Sequence, residues 1–193
     1  MILSFSFTFF GLQYAFAIYD EQIYSKSSQV LNTSSNSIEN ELKHMYAART
    51  DAPTPCNLTH HSYFNLNNGV GNIFDQELRV FSTQVLEQDE DLVVTGKILP
   101  VEGTAFDLRE FKTVGEGLRS LPEYDKTFVV SEVPKLKPMA EARYVPRGIS
   151  LQVWSTEPCV HFYSGKWTPE VKGKNGVQYG AWSGFCLETH SHP

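Results

Sequence analysis

A histidine pair lies in a short segment whose other residues would hold it against a packed wall. Residues 55–66 read P-C-N-L-T-H-H-S-Y-F-N-L. Pro53 and Pro55 exclude a helix at its start, because a proline ring removes an amide donor and favours an extended residue before it. The aromatic residues that follow require burial, so His60 and His61 should lie close to the core. An imidazole held there can give or take a proton near neutral pH, which predicts general acid–base chemistry; the alternative is a purely structural histidine.

Four further stretches with distinctive residues follow this segment along the chain. They read V-T-G-K-I and G-T-A-F-D-L-R within 94–109, Y-D-K-T-F-V at 124–129, S-T-E-P-C-V-H-F-Y-S-G at 155–165 and F-C-L-E-T-H at 185–190. Together with the histidine segment, they resemble the motifs of the aldose 1-epimerase (galactose mutarotase) family, in the family's own order. The resemblance spans residues 46–193.

The resemblance implies an enzyme that interconverts the α- and β-anomers of an aldohexose such as galactose or glucose. Opening the cyclic hemiacetal needs a base for the C1 hydroxyl and an acid for the ring oxygen, which we expect on different sides of the sugar ring. By resemblance, Glu188 is the base, His61 is the acid, and Asp125 and His161 bind sugar hydroxyls. This reaction needs no cofactor, and none is predicted. No metal site is predicted either, because adjacent histidines on a strand point to opposite faces and no cysteine or carboxylate spacing completes a zinc site.

Three positions depart from the family motifs, and each of them carries a histidine. His60 stands in place of asparagine, His161 in place of the glutamine that binds the sugar, and His190 in place of the glutamine after E-T. A neutral imidazole has one donor and one acceptor, so it can replace an amide only in part. The Asn–Arg pair and second pocket histidine that the family draws from its N-terminal half have no match in residues 1–40.

Two other functions therefore stay open. The first is a truncated, catalytically impaired homologue that acts as a β-sandwich binding a carbohydrate or a partner protein. The second and weaker one is an epimerase of phosphorylated hexoses, which would need basic residues at the rim of the pocket. Arg143 and Arg147 are the candidates for that role.

The composition is that of a globular protein with a substantial core. Of the 193 residues, 41% are hydrophobic and 20% are charged. A net charge of −6 without any Lys/Arg run argues against a nucleic-acid partner. Cys56, Cys159 and Cys186 show no paired spacing, which favours free thiols in a reducing, cytoplasmic compartment. We expect a monomer that does not bind membranes.

Most of the chain is predicted to form antiparallel strands separated by turns. Apolar residues alternate with others over 149–153, and the alternation over 185–190 turns Glu188 away from the apolar side. Helical periodicity is limited to one turn near 113–118. The predicted fold class is all-β, an antiparallel β-sandwich. The resemblance narrows this to an incomplete form of the mutarotase-like supersandwich.

Three segments are predicted along the chain. Residues 1–17 are apolar and end in Ala15–Phe16–Ala17, the form of a signal-peptidase site, although no basic residue precedes the apolar run. If they are a signal peptide, the protein is secreted; the competing interpretation is an N-terminus foreign to the family. Residues 18–40 are rich in serine and asparagine and are predicted to be a linker. Residues 41–193 form the partial mutarotase-like domain.

Overall fold

Strands and turns make up nearly all of the protein. The computed structural model describes residues 2–8, 29–36, 41–173 and 176–193, with side chains from residue 41 onwards. The strands are β1 (Ile2–Thr8), β2 (Gln29–Asn36), β3 (Glu41–Arg49), β4 (Tyr63–Phe64), β5 (Glu77–Val80), β6 (Gln84–Gln88), β7 (Val94–Pro100), β8 (Lys112–Thr113), β9 (Asp125–Val129), β10 (Lys137–Tyr144), β11 (Ile149–Ser155), β12 (Cys159–Tyr163), β13 (Val171–Lys172), β14 (Gln178–Tyr179) and β15 (Phe185–His190). The all-β prediction is confirmed.

The strands form two large antiparallel sheets. Sheet A has the order β2-β3-β1-β11-β10-β5-β8, and sheet B has the order β4-β15-β12-β9-β6-β7. The short strands β13 and β14 pair with each other. One apolar core joins the sheets, and Leu151 of sheet A and Phe128 and Phe162 of sheet B are completely buried in it. Two sheets that enclose a common core are a sandwich, as the sequence predicts.

The two-residue period of the strands decides which side chains reach the core. In β11, Ile149, Leu151 and Val153 are buried, whereas the intervening residues are half-buried. In sheet B, Phe162 of β12 and Leu187 of β15 belong to the core. Their neighbours along each strand therefore point to the other face of sheet B. That outer face carries the side chains with candidate chemistry.

The first strands of the chain complete sheet A. β1 lies between β3 and β11, and its backbone pairs with both of them. β2 pairs with β3 and falls within the predicted linker, so these eight residues form a strand rather than a flexible segment. Main-chain hydrogen bonds need no apolar side chain, which is why a serine-rich stretch can serve as an outer strand. The proposed signal-peptidase site and the rest of the linker lie outside the described residues and stay predictions.

Helical structure in the described part of the chain is confined to short turns, of which two have four and three residues. The turn α1 (Val114–Gly117) occurs where the sequence predicts it, and the Thr113 hydroxyl caps it by accepting a hydrogen bond from the Glu116 amide. The other, a 3-10 turn at Val145–Arg147, ends at Gly148, whose φ of 63° favours glycine. Within the described ranges, the structure has no helix long and apolar enough to cross a bilayer.

Candidate active site

An open cleft of about 570 Å³ lies on the outer face of sheet B. Small-molecule sites typically enclose about 300–1,000 Å³, so the cleft is of a suitable size for a monosaccharide. All four residues predicted to act on the sugar line it, namely His61, Asp125, His161 and Glu188. The cleft also has lining residues that the sequence analysis did not single out. They are Asn57, Thr59, Gln88, Val94, Thr127, Tyr163, Trp167 and Pro193.

Strand register explains why residues so far apart in sequence meet here. His161 of β12 lies opposite Glu188 of β15 and opposite Thr127 of β9. Directly opposite residues of an antiparallel pair share a face, with Cβ atoms about 4.5–5.5 Å apart. His61 comes from the loop before β4, whose Tyr63 pairs with Cys186 of β15. The pairing of β4 with β15 therefore places the predicted acid, His61, beside the strand that holds the predicted base, Glu188.

Glu188 and His61 are neighbours in the cleft. Nε2 of His61 lies 3.6 Å from Oε1 of Glu188, longer than a hydrogen bond. The expectation that they act from different sides of the sugar ring stays a prediction. The C1 hydroxyl and the ring oxygen of an aldohexose are bonded to the same carbon. Adjacent protein groups can therefore reach both of them.

The environment of Glu188 suits a general base. Its side chain is only 12% exposed, whereas that of His61 is 45% exposed. Burial raises the pKa of the Glu188 carboxyl above its ordinary value, and the neighbouring imidazoles of His61 and His161 act in the opposite direction to a lesser degree. A carboxylate with a raised pKa is a stronger proton acceptor near neutral pH.

The thiol of Cys186 contacts the second nitrogen of His61. Sγ lies 3.4 Å from Nδ1 of His61, whereas Oε1 of Glu188 lies 3.6 Å from Nε2. Burial, followed by the nearby Glu188 carboxylate, raises the pKa of this thiol strongly, so it stays a neutral thiol. The contact helps to orient the His61 ring, with Nε2 facing Glu188. The sequence analysis missed this role, although the spacing of Cys186 and Glu188 by two residues was the available signal.

His161 uses both of its ring nitrogens within the wall of the cleft. Nε2 lies 2.7 Å from Oδ1 of Asp125, and Nδ1 lies 2.8 Å from Oγ1 of Thr127. The hydrogen bond from His161 holds the pKa of Asp125 below its ordinary value, so Asp125 is a carboxylate over a wide pH range. The direct sugar contact expected of His161 stays a prediction. The geometry gives His161 the additional role of orienting Asp125.

Aromatic side chains border the cleft beside His61. The rings of His61 and Tyr63 stack with centroids 5.1 Å apart, and Tyr163 meets both rings edge-on. The Tyr163 hydroxyl accepts a hydrogen bond from the Trp167 amide, which holds the loop after β12 in place. The Trp167 side chain is 70% exposed. An aromatic face of this kind can cover the apolar C–H surface of a pyranose.

The two remaining histidine substitutions have different surroundings. His190 lines the cleft, and burial lowers its pKa. His60 instead points inward, with its Nε2 2.9 Å from the Ser62 hydroxyl oxygen and its ring 4.4 Å from the ring of His44. Burial, with a smaller contribution from His44, lowers the pKa of His60 to about 4. The histidine pair therefore divides into one residue in the cleft and one in the interior.

The buried His60 predicts a loss of stability in acid. Its pKa falls from 6.5 to about 4 on folding, so between those pH values the unfolded chain binds a proton that the folded chain does not. Stability present above pH 6.5 should be lost as the pH falls towards 4, by up to about 3 kcal/mol. Urea denaturation at stepped pH measures this slope. The His60→Asn variant should show a shallower slope, and an unchanged slope would contradict the assignment.

The arginines considered for a phosphorylated substrate lie elsewhere. Arg143 pairs with Glu77 of β5 in sheet A, and Arg147 donates to the Asn67 side chain. Neither arginine is among the residues that line the cleft. These two arginines therefore do not supply the basic rim that a phosphorylated hexose would need.

Comparisons with known proteins agree with this architecture. Residues 33–193 match the family model described as aldose 1-epimerase. The galactose mutarotase of Mus musculus is 43% identical over 157 residues, which are 79% of this chain and 46% of the mouse protein. The aldose 1-epimerase of Escherichia coli K12 is 27% identical over 162 residues, which are 80% of this chain and 47% of that protein. The chain thus spans about half the length of these relatives.

Solved structures share the fold. A GalM/aldose epimerase homologue from C. elegans matches with a TM-score of 0.69 at 21% identity, over 92% of this chain and 59% of that one. Galactose 1-epimerase from Lactobacillus acidophilus matches with a TM-score of 0.61 at 19% identity, over 98% and 58% respectively. These two likenesses support the supersandwich prediction, and the sequence matches establish descent. The chain belongs to the aldose 1-epimerase family.

Proposed function

We propose that the protein interconverts the α- and β-anomers of an aldohexose, with galactose and glucose as the candidate substrates, by general acid–base catalysis. The observation that carries this proposal is the buried Glu188 carboxylate beside the Nε2 atom of His61 in one cleft. The relatives named galactose mutarotase and aldose 1-epimerase support it further. The chain spans about half of the length of these relatives, so its own activity needs a direct test.

The two groups can complete the reaction without a covalent intermediate. Glu188 takes the proton of the C1 hydroxyl, the bond between C1 and the ring oxygen breaks, and His61 gives a proton to that oxygen. The open-chain aldehyde then rotates about the bond between C1 and C2. On closing, His61 takes the proton of the attacking hydroxyl, and Glu188 returns its proton to the carbonyl oxygen. Both groups end in their starting protonation states, as catalysis requires.

Other residues of the cleft would position the sugar for this exchange. Asp125, held by His161, is a carboxylate that can accept hydrogen bonds from sugar hydroxyls. The ring of Trp167 can cover the apolar face of the pyranose from the rim. A group held in the correct geometry lowers the entropic part of the barrier, so we assign positioning and not proton transfer to these side chains.

Polarimetry with freshly dissolved α-D-galactose tests the proposal. The purified chain should speed the approach to the equilibrium rotation above the rate in buffer. A folded protein with no acceleration for galactose or glucose would overturn the proposal. Isothermal titration calorimetry then separates the remaining cases, since sugar binding without turnover identifies an impaired, carbohydrate-binding homologue.

The state of the cysteines bears on the proposed cellular location of the protein. The three cysteines are free, two of them buried and Cys56 exposed. Free thiols are typical of a reducing compartment, which supports a cytoplasmic location over secretion. The proposed assembly is a monomer, and light scattering coupled to size-exclusion chromatography measures it directly.

A further inference from the structure

We propose that His61, Cys186 and Glu188 form a binding site for a thiophilic divalent cation of the Zn²⁺ type at the base of the cleft. Each residue offers one ligand atom, and these atoms all lie within 4.8 Å of one another. Among the residues that the structure describes, this is the one group of three such ligands found so close together. The sequence analysis predicted no metal site, because no local cysteine, histidine or carboxylate spacing completes one. The three ligands come from two separate parts of the chain. The pairing of β4 with β15 is what brings them together.

The distances fit a tetrahedral ion. Zinc lies about 2.0–2.3 Å from nitrogen, oxygen and sulfur ligands, which places neighbouring ligand atoms about 3.4–3.6 Å apart at tetrahedral angles. In the cleft, Sγ of Cys186 is already 3.4 Å from Nδ1 of His61. A carboxylate oxygen of Glu188 lies within 4.8 Å of the ligand atoms of both other residues. Small side-chain rotations would therefore bring the carboxylate to the ion.

The charges of the site also suit a dication. On binding, the S–H bond of Cys186 breaks, its electron pair forms the bond to the cation, and the proton leaves to the solvent. The resulting thiolate and the Glu188 carboxylate together balance the two positive charges of the ion. Such a neutral assembly avoids the cost of placing an uncompensated charge in a buried environment. His61, the most exposed of the three, leaves a fourth coordination position open to the cleft.

A second Cys–His–Glu trio, at Cys159 of β12 and in the segments after β9 and β15, provides a comparison. Cys159 Sγ lies 3.8 Å from Nδ1 of His192, whose Nε2 lies 2.6 Å from Oε1 of Glu132. There the imidazole is hydrogen-bonded to the carboxylate, and Glu132 is largely exposed. This trio is not among the close ligand groups. It has the same residue types without the same geometry, and so it supplies a matched control.

Occupancy by the cation would have a consequence for activity. The ion would use the carboxylate and the imidazole that we assign to proton transfer, so cation and sugar should exclude one another. Only this inhibition rests on the proposed function. Binding of the cation itself does not depend on whether the chain turns over a sugar.

Titration of the intact chain with CdCl₂ tests the proposal, because thiolate coordination to Cd²⁺ produces a near-ultraviolet absorption band. The exposed thiol is removed first by Cys56→Ser, and ZnCl₂ competition is measured in the same background. We expect a single tight site with release of a proton. Loss of even an outer contact to a metal ligand typically weakens binding about 10–100-fold, so Cys186→Ser should weaken it by at least about 100-fold. Glu188→Gln should weaken it as well, and Cys159→Ser should leave it unchanged.

Circular dichroism confirms that each variant is folded, and Glu188→Gln serves if Cys186→Ser does not fold. The proposal is overturned if Cd²⁺ binding is unchanged in both of these variants, or if Cys159→Ser weakens binding as much as they do. A wild-type chain that shows no thiolate band at all would overturn it too. Cation binding without sugar turnover would uphold this proposal while the proposed function fails, so the two failures are distinguishable.

Discussion

The mutarotation rate is expected to fall about 10²–10⁴-fold when Glu188 is replaced by glutamine, because a neutral amide of similar shape cannot take the proton of the C1 hydroxyl. The substitution keeps the side-chain volume, so packing against Cys186 and His161 should persist. Polarimetric kcat at saturating α-D-galactose measures the effect. Glu141→Gln is the matched control, since Glu141 lies in β10 of sheet A, paired with Arg79 and away from the cleft. Equal rates for both variants would exclude Glu188 as the base.

The pH profile gives an independent view of the same residue. Only ionised Glu188 can accept the proton, so the rate should be lost as the pH falls through the pKa of that carboxyl. Burial raises this pKa above the 4.5 of an ordinary glutamate. The acidic limb of kcat/KM should therefore lie at a higher pH than for an unperturbed carboxyl. A limb at or below pH 4.5 would contradict the assignment.

Replacement of His61 by glutamine is the second change with a large expected effect, again about 10²–10⁴-fold in kcat. Glutamine can still hydrogen-bond to the ring oxygen, but it cannot transfer a proton to it. The combined Glu188→Gln and His61→Gln variant should lose little more than either single variant, because groups that act as a unit are not additive. Polarimetric kcat of the two single variants and the double variant tests both expectations.

The neighbouring histidine is the natural control for this experiment. His60→Asn restores the residue type that the family motif carries and alters a side chain that faces the interior. Its mutarotation rate should stay within a few-fold of the wild-type rate, even though its stability in acid changes. A loss for His60→Asn as large as that for His61→Gln would mean that folding, and not proton transfer, explains both effects. Thermal unfolding of the two variants distinguishes these explanations.

Much of the fold could be predicted because burial follows the two-residue period of each strand. The alternation in β11 and β15 showed which side chains face the core, and therefore that Glu188 does not. The motif blocks also brought His61, Asp125, His161 and Glu188 into one expected pocket, and the structure places all four in one cleft. What the family resemblance added was the expectation that these residues act on one sugar, which no local pattern contains.

The rest depended on contacts between strands. The contact of Cys186 with His61 follows from the register of β4 against β15, which the residues themselves do not reveal. The two hydrogen bonds of His161 require knowledge of both of its neighbouring strands. Likewise, the composition of residues 29–36 resembles a linker, and only the backbone partners in β3 make it a strand. Local composition says little about main-chain pairing.

The place of β1 between β3 and β11 ties the first residues of the chain to sheet A. Proteolysis that removed residues 1–17 would take away the strand that joins β2 and β3 to the remaining sheet. β3 and β11 would then have to pair directly or expose open edges, which promote aggregation. An exported, processed chain and an unprocessed chain would thus be two molecules with differently ordered sheets.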